Sequence, residues 1–501
     1  MLVKIGYKEI DIAFPSASQT EFDFCRKLVE TSGAVPDDVW LQVLSPCRKE
    51  LIRQTVDSVT GCKKAILSLY IATSDTFMQT VFKSSQQEVL GKAVECVKYA
   101  RSITKDDPNQ AGTTWSLMFS PEAFTDTDVK YSVKICEAVK EAWGPTEDNK
   151  IILNLPATVE MGSPNTFADQ VEIFRRSITQ PELVCVSVHP HNDRGCAVAA
   201  AELGQLAGAE RVEGCLYGNG ERTGNVDLVV LALNLYVQGI DPKVDFSDLK
   251  STRRIVEECT LIPVHTRAPY SGDSAFLAYS GSHQDAINKA FQKMDRKSLW
   301  KVPYLPLDPQ DIGASYKAVI QVNSQSGKGG VAWTLRQAIN LDMPRDMQVE
   351  FSKIVKSVSV AQGGTLSPSQ LANLFFRMYH LFSPDPALVS ANIDYDDVFL
   401  KVEATIRVQD RLVHLKGSGK TIASSVVDAF SKFGSELSFT SSVRTLVHEA
   451  ILHEVVLVQS QLVGTSSTSW GASVIFKSDK DTSELKAMLS SAAVGVFLLS
   501  S

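Results

Sequence analysis

The sequence predicts an α/β fold built on a parallel sheet, and three observations carry that expectation. Short β-branched runs alternate with stretches rich in Lys, Glu and Ala, the alternation continues from Lys8 to Asn225, and polar side chains gather just beyond the ends of the runs. A strand, a crossover helix and a second parallel strand form a right-handed unit. Repeating that unit gives either a closed (β/α)8 barrel or an open, doubly wound sheet.

Seven segments read as strands: 8–13, 39–44, 65–71, 115–119, 151–155, 184–189 and 211–216. Helical stretches such as 85–101 and 128–142 separate them. The polar residues that follow the strands include Thr73, Ser74, Ser120, Glu122, Thr158, Glu160, His191, Asp193, Asn219 and Asn225. The C-terminal ends of parallel strands are where a barrel builds its active site, so this placement marks one mouth of the fold as functional.

The sixth run ends in Val186-Ser187-Val188-His189-Pro190-His191-Asn192-Asp193-Arg194. Side chains alternate along a strand, so His189 and His191 share a face and two imidazoles can share one cation. A hydrogen-bonded pair of histidines at a strand end is the competing reading of His-x-His alone. The seventh run leads into Gly214-Cys215-Leu216-Tyr217-Gly218-Asn219-Gly220-Glu221-Arg222-Thr223-Gly224-Asn225. Its glycines let backbone approach a ligand closely. A dinucleotide fingerprint is excluded, because Gly218, Gly220 and Gly224 are spaced G-x-G-x-x-x-G.

These two stretches, with Asn154-Leu155-Pro156-Ala157-Thr158-Val159-Glu160-Met161 and Gly281-Ser282-His283-Gln284-Asp285-Ala286, closely resemble the 2-isopropylmalate synthase family in its fungal-type form. The resemblance runs from residue 1 to about Ala332 and weakens beyond it. It implies a (β/α)8 TIM barrel lacking its first strand. That strand would supply an Arg-Asp-Gly-Asn-Gln type motif, with a metal-binding aspartate and a substrate-binding arginine, and nothing in this chain matches it.

Carried over residue by residue, the resemblance makes His189, His191 and Asn225 metal ligands and places Ser120 and Thr158 against the keto-acid. Glu122 falls near the reacting carbons, and His283 matches a histidine that deprotonates the acetyl-CoA methyl group. Tyr316 matches a linker tyrosine that reaches the neighbouring subunit's site. Mixed nitrogen and oxygen ligation suits Mg²⁺, Mn²⁺ or Zn²⁺. Two departures stand out: Ser68 where the family commonly has a substrate-facing histidine, and Met118 where it commonly has glutamate, each removing a polar group from the expected barrel mouth.

The implied chemistry is a Claisen-type condensation of acetyl-CoA with 2-oxoisovalerate, as in leucine biosynthesis. Two alternatives stand beside it: a catalytically impaired pseudo-enzyme subunit pairing with a full-length homologue, and homocitrate or citramalate synthase. The family is dimeric, which implies a homodimer or a heterodimer with a homologue. The resemblance also implies a leucine effector, and it allows mitochondrion or cytoplasm.

The remaining sequence sets bounds. With 501 residues, a prior of about 150 residues per domain gives roughly three. These are expected at 1–272 (barrel), 273–385 (helical linker subdomains) and 386–501 (an α+β domain resembling a degenerate leucine-binding regulatory domain). Lys and Arg number 50 against 57 Asp and Glu, a net charge of −7, which argues against nucleic acid as partner. No apolar run approaches bilayer-spanning length.

All nine cysteines lie between Cys25 and Cys259 without a C-x-x-C pair, so free thiols are expected. Residues 1–7 read as the tail of an amphipathic helix stopped by Gly6, with no targeting segment visible. Helices are expected at 276–294 and 367–381. The stretch 322–331 is not a P-loop, since the leading glycine and the Ser or Thr after Lys328 are both missing. Further on, strands are expected at 398–408 and 455–462 and a helix at 422–433. The glycine-bearing 416–420 and the Ser/Thr-rich 464–473 read as loops.

Overall fold

Alternation along the seven predicted strands puts one set of side chains against helices and the other set inside. The computed structural model shows both sets in place. It describes all of the chain except residues 279, 296–297, 316–321, 323–325, 397, 409–410, 477–478 and 499–501. The described residues divide into two units, Met1–Ala275 with Asp311–Ala314, and Phe276–Gln310 with Ser315–Ser501.

In the first unit β1 (Glu9–Ala13), β2 (Trp40–Pro46), β3 (Lys64–Ala72), β4 (Thr114–Glu122), β5 (Ile151–Ala157), β6 (Val184–Pro190) and β7 (Arg211–Val212) form one sheet in chain order. Every neighbouring pair is parallel. The arrangement is TIM-barrel-like with seven strands. Among the described residues β1 pairs only with β2 and β7 only with β6, so the sheet keeps two edges.

Leu67, Leu69, Phe119, Leu153 and Val186 face outward into the layer shared with the flanking helices, where Val97, Ile135, Val139 and Phe174 meet them. Burying each such side chain stabilises the fold by about 1.5–3 kcal/mol, and Leu67→Ala would cost about 2–5 kcal/mol. The flanking helices start where caps permit. Ser85 and Glu88 form a reciprocal capping box ahead of Gln86–Ser102, and the Asp128 carboxylate accepts the Lys130 N–H ahead of Val129–Trp143. Inside the sheet Ile66, Met118 and Ile152 make a small apolar plug with Trp40 and Cys185.

The seventh strand is shorter than the 211–216 run. Only Arg211 and Val212 pair with β6; Cys215 then bridges Asp227, and the chain turns at Leu216–Gly218. Glycine is required there. Gly224 has φ 94°, and a Cβ on it would lie 1.9 Å from the Gly218 carbonyl oxygen.

The second unit contains helices at Gly281–Lys293, Lys328–Ile339, Arg345–Gln362 and Pro368–Met378. It also holds two antiparallel three-stranded sheets. One is ordered β10-β9-β8, from β8 (Leu388–Tyr395), β9 (Leu400–Val408) and β10 (Arg411–Gly419). The other is ordered β11-β12-β13, from β11 (Leu437–His448), β12 (Ile451–Leu462) and β13 (Thr468–Val474).

Two expected loops are strand instead, for one physical reason. Gly417 lies in β10, and a Cβ on it would stand 2.0 Å from the Ser425 carbonyl oxygen of the helix Ile422–Ser431. Gly471 lies in β13, and a Cβ there would stand 2.2 Å from the Ala487 carbonyl oxygen of the helix Lys480–Ala493. The small residues that suggested flexibility serve close helix-on-strand packing. Lys328, in the stretch that is not a P-loop, opens the helix Lys328–Ile339, whose N-cap is Gly327. No described helix is long and apolar enough to cross a membrane, and all nine cysteines are free thiols.

Candidate active site at the strand ends

The C-terminal ends of β4, β5 and β6 and the loop after β7 bring most of the sequence-predicted site residues together. His189 and His191 project on the same side of β6, their ring centroids 5.3 Å apart at 39°. Asn225 forms a β-bridge to His191. Its Nδ2 donates to the Cys215 sulfur at 3.5 Å, which leaves its Oδ1 buried and without a partner among the described residues.

Each histidine has a different neighbour. His189 Nδ1 lies 2.9 Å from Glu213 Oε2. The largely buried Glu213 carboxylate is held far below the usual range, against its own desolvation, by Arg211, His189 and Gln42. His191 Nδ1 lies 2.9 Å from an Arg222 Nη, and that nitrogen also donates to the Thr158 carbonyl at 2.7 Å and to Asp193 at 3.0 Å. Burial, then the neighbouring His189 and Arg222, lower the His191 pKa to about 4, so its ring is neutral at physiological pH. The Arg222 guanidinium brings Asp193 down to about 2.

The loop after β6 is braced from β5. The Glu160 carboxylate accepts the Arg194 N–H, and the Glu160 N–H donates to Asp193 Oδ2 at 3.2 Å. Thr158 Oγ1 accepts the Ala123 N–H at 2.9 Å, which ties the end of β5 to that of β4. Glu122, the last residue of β4, has its pKa raised by burial and then by the nearby Glu221. Ser120 Oγ accepts from Asn154 Nδ2 at 3.1 Å.

His283 belongs to the second unit, where its ring stacks on Tyr304 at 3.9 Å and 20°. Tyr316 lies outside the described residues. Ser68 and Met118, expected at the mouth, pair in register deep in the sheet. Met118 sits in the apolar plug, while Ser68 is fully buried with its hydroxyl unpartnered among the described residues.

Sequence reasoning passed over Glu213, Asn154, Gln42, Asp11 and Arg222. The first could have been found. Strand alternation puts Arg211, Glu213 and Cys215 on one face, and two charges on the inner face of a core strand need a polar purpose. Asp11 shares that interior; burial and then Glu213 push its pKa up to about 6.

Among the described residues no three His, Cys, Asp or Glu side chains converge to hold a metal. The donors available to a cation are two imidazoles and one amide oxygen. They fit a divalent ion: Asn225 Oδ1 is an orphaned acceptor, and Glu213 gives His189 the carboxylate partner typical of a metal-bound histidine.

The parallel barrel-like sheet and the paired histidines at its strand ends fall within residues 1–256, which the HMGL-like family model matches, and this sets the class of the protein. A second model, described as alpha-isopropylmalate synthase, post-catalytic domain-like, matches residues 273–336. The chain is 53% identical to the 2-isopropylmalate synthase of Saccharomyces cerevisiae, over 86% of this chain and 70% of that protein. It is 51% identical to that yeast's mitochondrial 2-isopropylmalate synthase 2, over 86% and 72%. It is 50% identical to the 2-isopropylmalate synthase of Pseudomonas savastanoi pv. phaseolicola, over 84% and 75%. The chain belongs to the 2-isopropylmalate synthase family, and with it is an acyltransferase of leucine biosynthesis. The similarity reaches well past Ala332, where the resemblance was expected to weaken.

Proposed function

We propose that this chain condenses acetyl-CoA with 2-oxoisovalerate to give 2-isopropylmalate and CoA, with consumption of one water. The identity of about half the residues over 86% of the chain supports the reading, and the clustering of His189, His191 and Asn225 at the strand ends carries it. His189, His191 and Asn225 hold a divalent cation, Mg²⁺, Mn²⁺ or Zn²⁺. When bound, that cation supplies Lewis-acid polarisation of the substrate ketone.

The chain's own residues do the rest. Ser120 and Thr158 orient the keto-acid carboxylate, and Glu122, partly desolvated, faces the reacting carbons. His283 takes the methyl proton of acetyl-CoA, and the carbanion forms the new bond to the ketone carbon as the C=O π pair moves to oxygen, which takes up a proton; Tyr316 assists from the linker. Thioester hydrolysis releases CoA. A dimer of this chain, or a pair with a homologue, is the assembly we propose, with leucine as effector and a mitochondrial or cytoplasmic setting.

A second reading, a subunit weakly active alone, is favoured by the wholly neutral set of side-chain donors to the cation: no carboxylate joins His189, His191 and Asn225 among the described residues. Hard divalent ions depend on carboxylate oxygen. CoA-thiol release by the purified chain, with both substrates and each metal in turn, separates the two. Turnover that needs metal and keto-acid establishes the enzyme. Silence from folded protein, with activity on mixing with a full-length homologue, establishes the subunit.

A further inference from the structure

The interior of the sheet carries a hydrogen-bonded chain whose donors and acceptors run in one direction. Arg211 anchors it, with Nε 2.6 Å from Glu9, Nη2 3.0 Å from Gln42 Oε1 and Nη1 3.0 Å from Glu213 Oε1. A guanidinium can only donate, so Gln42 turns its carbonyl towards Arg211 and its NH₂ away. That NH₂ meets Glu213 Oε1 at 2.7 Å and Asp11 Oδ2 at 3.0 Å. Glu213 Oε1 is therefore filled by donors. Oε2 remains, facing His189 Nδ1 at 2.9 Å and Asn154 Nδ2 at 3.0 Å.

We infer that Glu213 is the positioning residue of the strand-end site, fixing the His189 proton on Nδ1 and so keeping the Nε2 lone pair free for a divalent cation. The inference rests on the reading of His189 as a cation ligand. Glu213 acts through His189: an ionised carboxylate accepts only, so the imidazole nitrogen facing it must carry hydrogen. Through Asn154, whose NH₂ also reaches Ser120 Oγ at 3.1 Å, the same oxygen orients the hydroxyl expected at the keto-acid. One carboxylate thus sets both the cation side and the substrate side.

The Glu213→Gln variant tests this sharply because the chain leaves its new amide one orientation. Arg211 and Gln42 present only hydrogens to the first oxygen, so the amide carbonyl must stay there and the NH₂ must face His189. Asn154 can turn over to receive it, since its Oδ1 is buried and unpartnered among the described residues. The polarity at His189 reverses: Nδ1 becomes an acceptor and the proton moves to Nε2.

The experiment is nitrogen-15 NMR of histidine-labelled protein at about pH 8, where an ordinary imidazole is neutral, together with cobalt(II) titration followed by calorimetry. The His189 signal is assigned by its loss in His189→Gln. The unsubstituted chain should show His189 protonated on Nδ1; protonation on Nε2 would overturn the inference whether or not any variant folds. Glu213→Gln should move the proton to Nε2 and weaken cobalt binding about 10–100-fold, while Glu213→Asp, still an acceptor, should restore much of both. An unmoved proton in folded Glu213→Gln also overturns it. A moved proton with unchanged cobalt affinity overturns the assignment of His189 as a ligand instead.

Discussion

His189 and His191 stand two residues apart on one strand face, yet their neighbours are chemical opposites. His189 meets a carboxylate that can only accept, and His191 meets a guanidinium that can only donate. Neutral rings in those settings carry their hydrogen on different nitrogens: Nδ1 in His189, Nε2 in His191. On the proposed reading the first is a ligand prepared in advance. On the same reading the second, with Nδ1 facing Arg222, joins it as a ligand once the Arg222 contact is given up. Residue type is the same in both; the partner across the sheet or loop decides the role.

The strongest challenge to this contrast is His189→Gln. It removes the prepared donor, and cation affinity should fall at least about 100-fold, beyond what losing a supporting residue costs; a smaller loss in a calorimetric titration would mean that His189 is not the primary ligand. Arg222→Gln works in the other direction. With the guanidinium gone, His191 and the Asp193 carboxylate are both freed, and cation affinity should rise by about 5-fold, the equivalent of one hydrogen bond of about 1 kcal/mol. Weaker binding in that variant would show that Arg222 orients His191 and does not mask it.

A smaller, pH-dependent effect follows from His191. Its folded pKa of about 4 lies below the ordinary 6.5. As pH falls from 6.5 towards 4 the unfolded chain takes up a proton that the folded chain refuses, so stability present above 6.5 is lost across that window. The ring is only partly buried, and solvent screening reduces the expected loss to about 1–2 kcal/mol. Thermal melts of the parent and of His191→Gln between those limits should converge as the pH drops. Parallel curves would count against a neutral His191. Least of all, Glu221→Gln should move the acid limb of the activity profile slightly downward, because Glu221 adds to the raised Glu122 pKa; an upward move would remove Glu122 from the mechanism.

Much of the barrel was legible because short β-branched runs alternate regularly with stretches rich in Lys, Glu and Ala. All seven predicted strands are present, displaced by a few residues at most except at β7, where the glycine loop cuts pairing short. The small sheets of the second unit were harder. Gly417 and Gly471 look like loop residues in a sequence, and only the helices lying across them reveal why a strand needs a missing side chain there. The site divides the same way. His189, His191 and Asn225 advertise themselves by type and spacing, whereas Glu213, Asn154 and Arg222 gain meaning only from what they face across elements distant in sequence.

The two sheet edges give that last point a dynamic side. Glu213 sits just past β7, an edge strand whose ladder to β6 is only two residue pairs long, and its N–H is held by the Val188 carbonyl at 2.9 Å. Across the edge, the Glu9–Arg211 contact is side chain only. Local opening begins where backbone bonds are fewest. The amides of 211–213 should therefore exchange with solvent before those of β3 or β4, and each excursion carries off the residue that prepares His189. Readiness of the site is then the closed fraction of one short strand, a quantity hydrogen exchange measures directly.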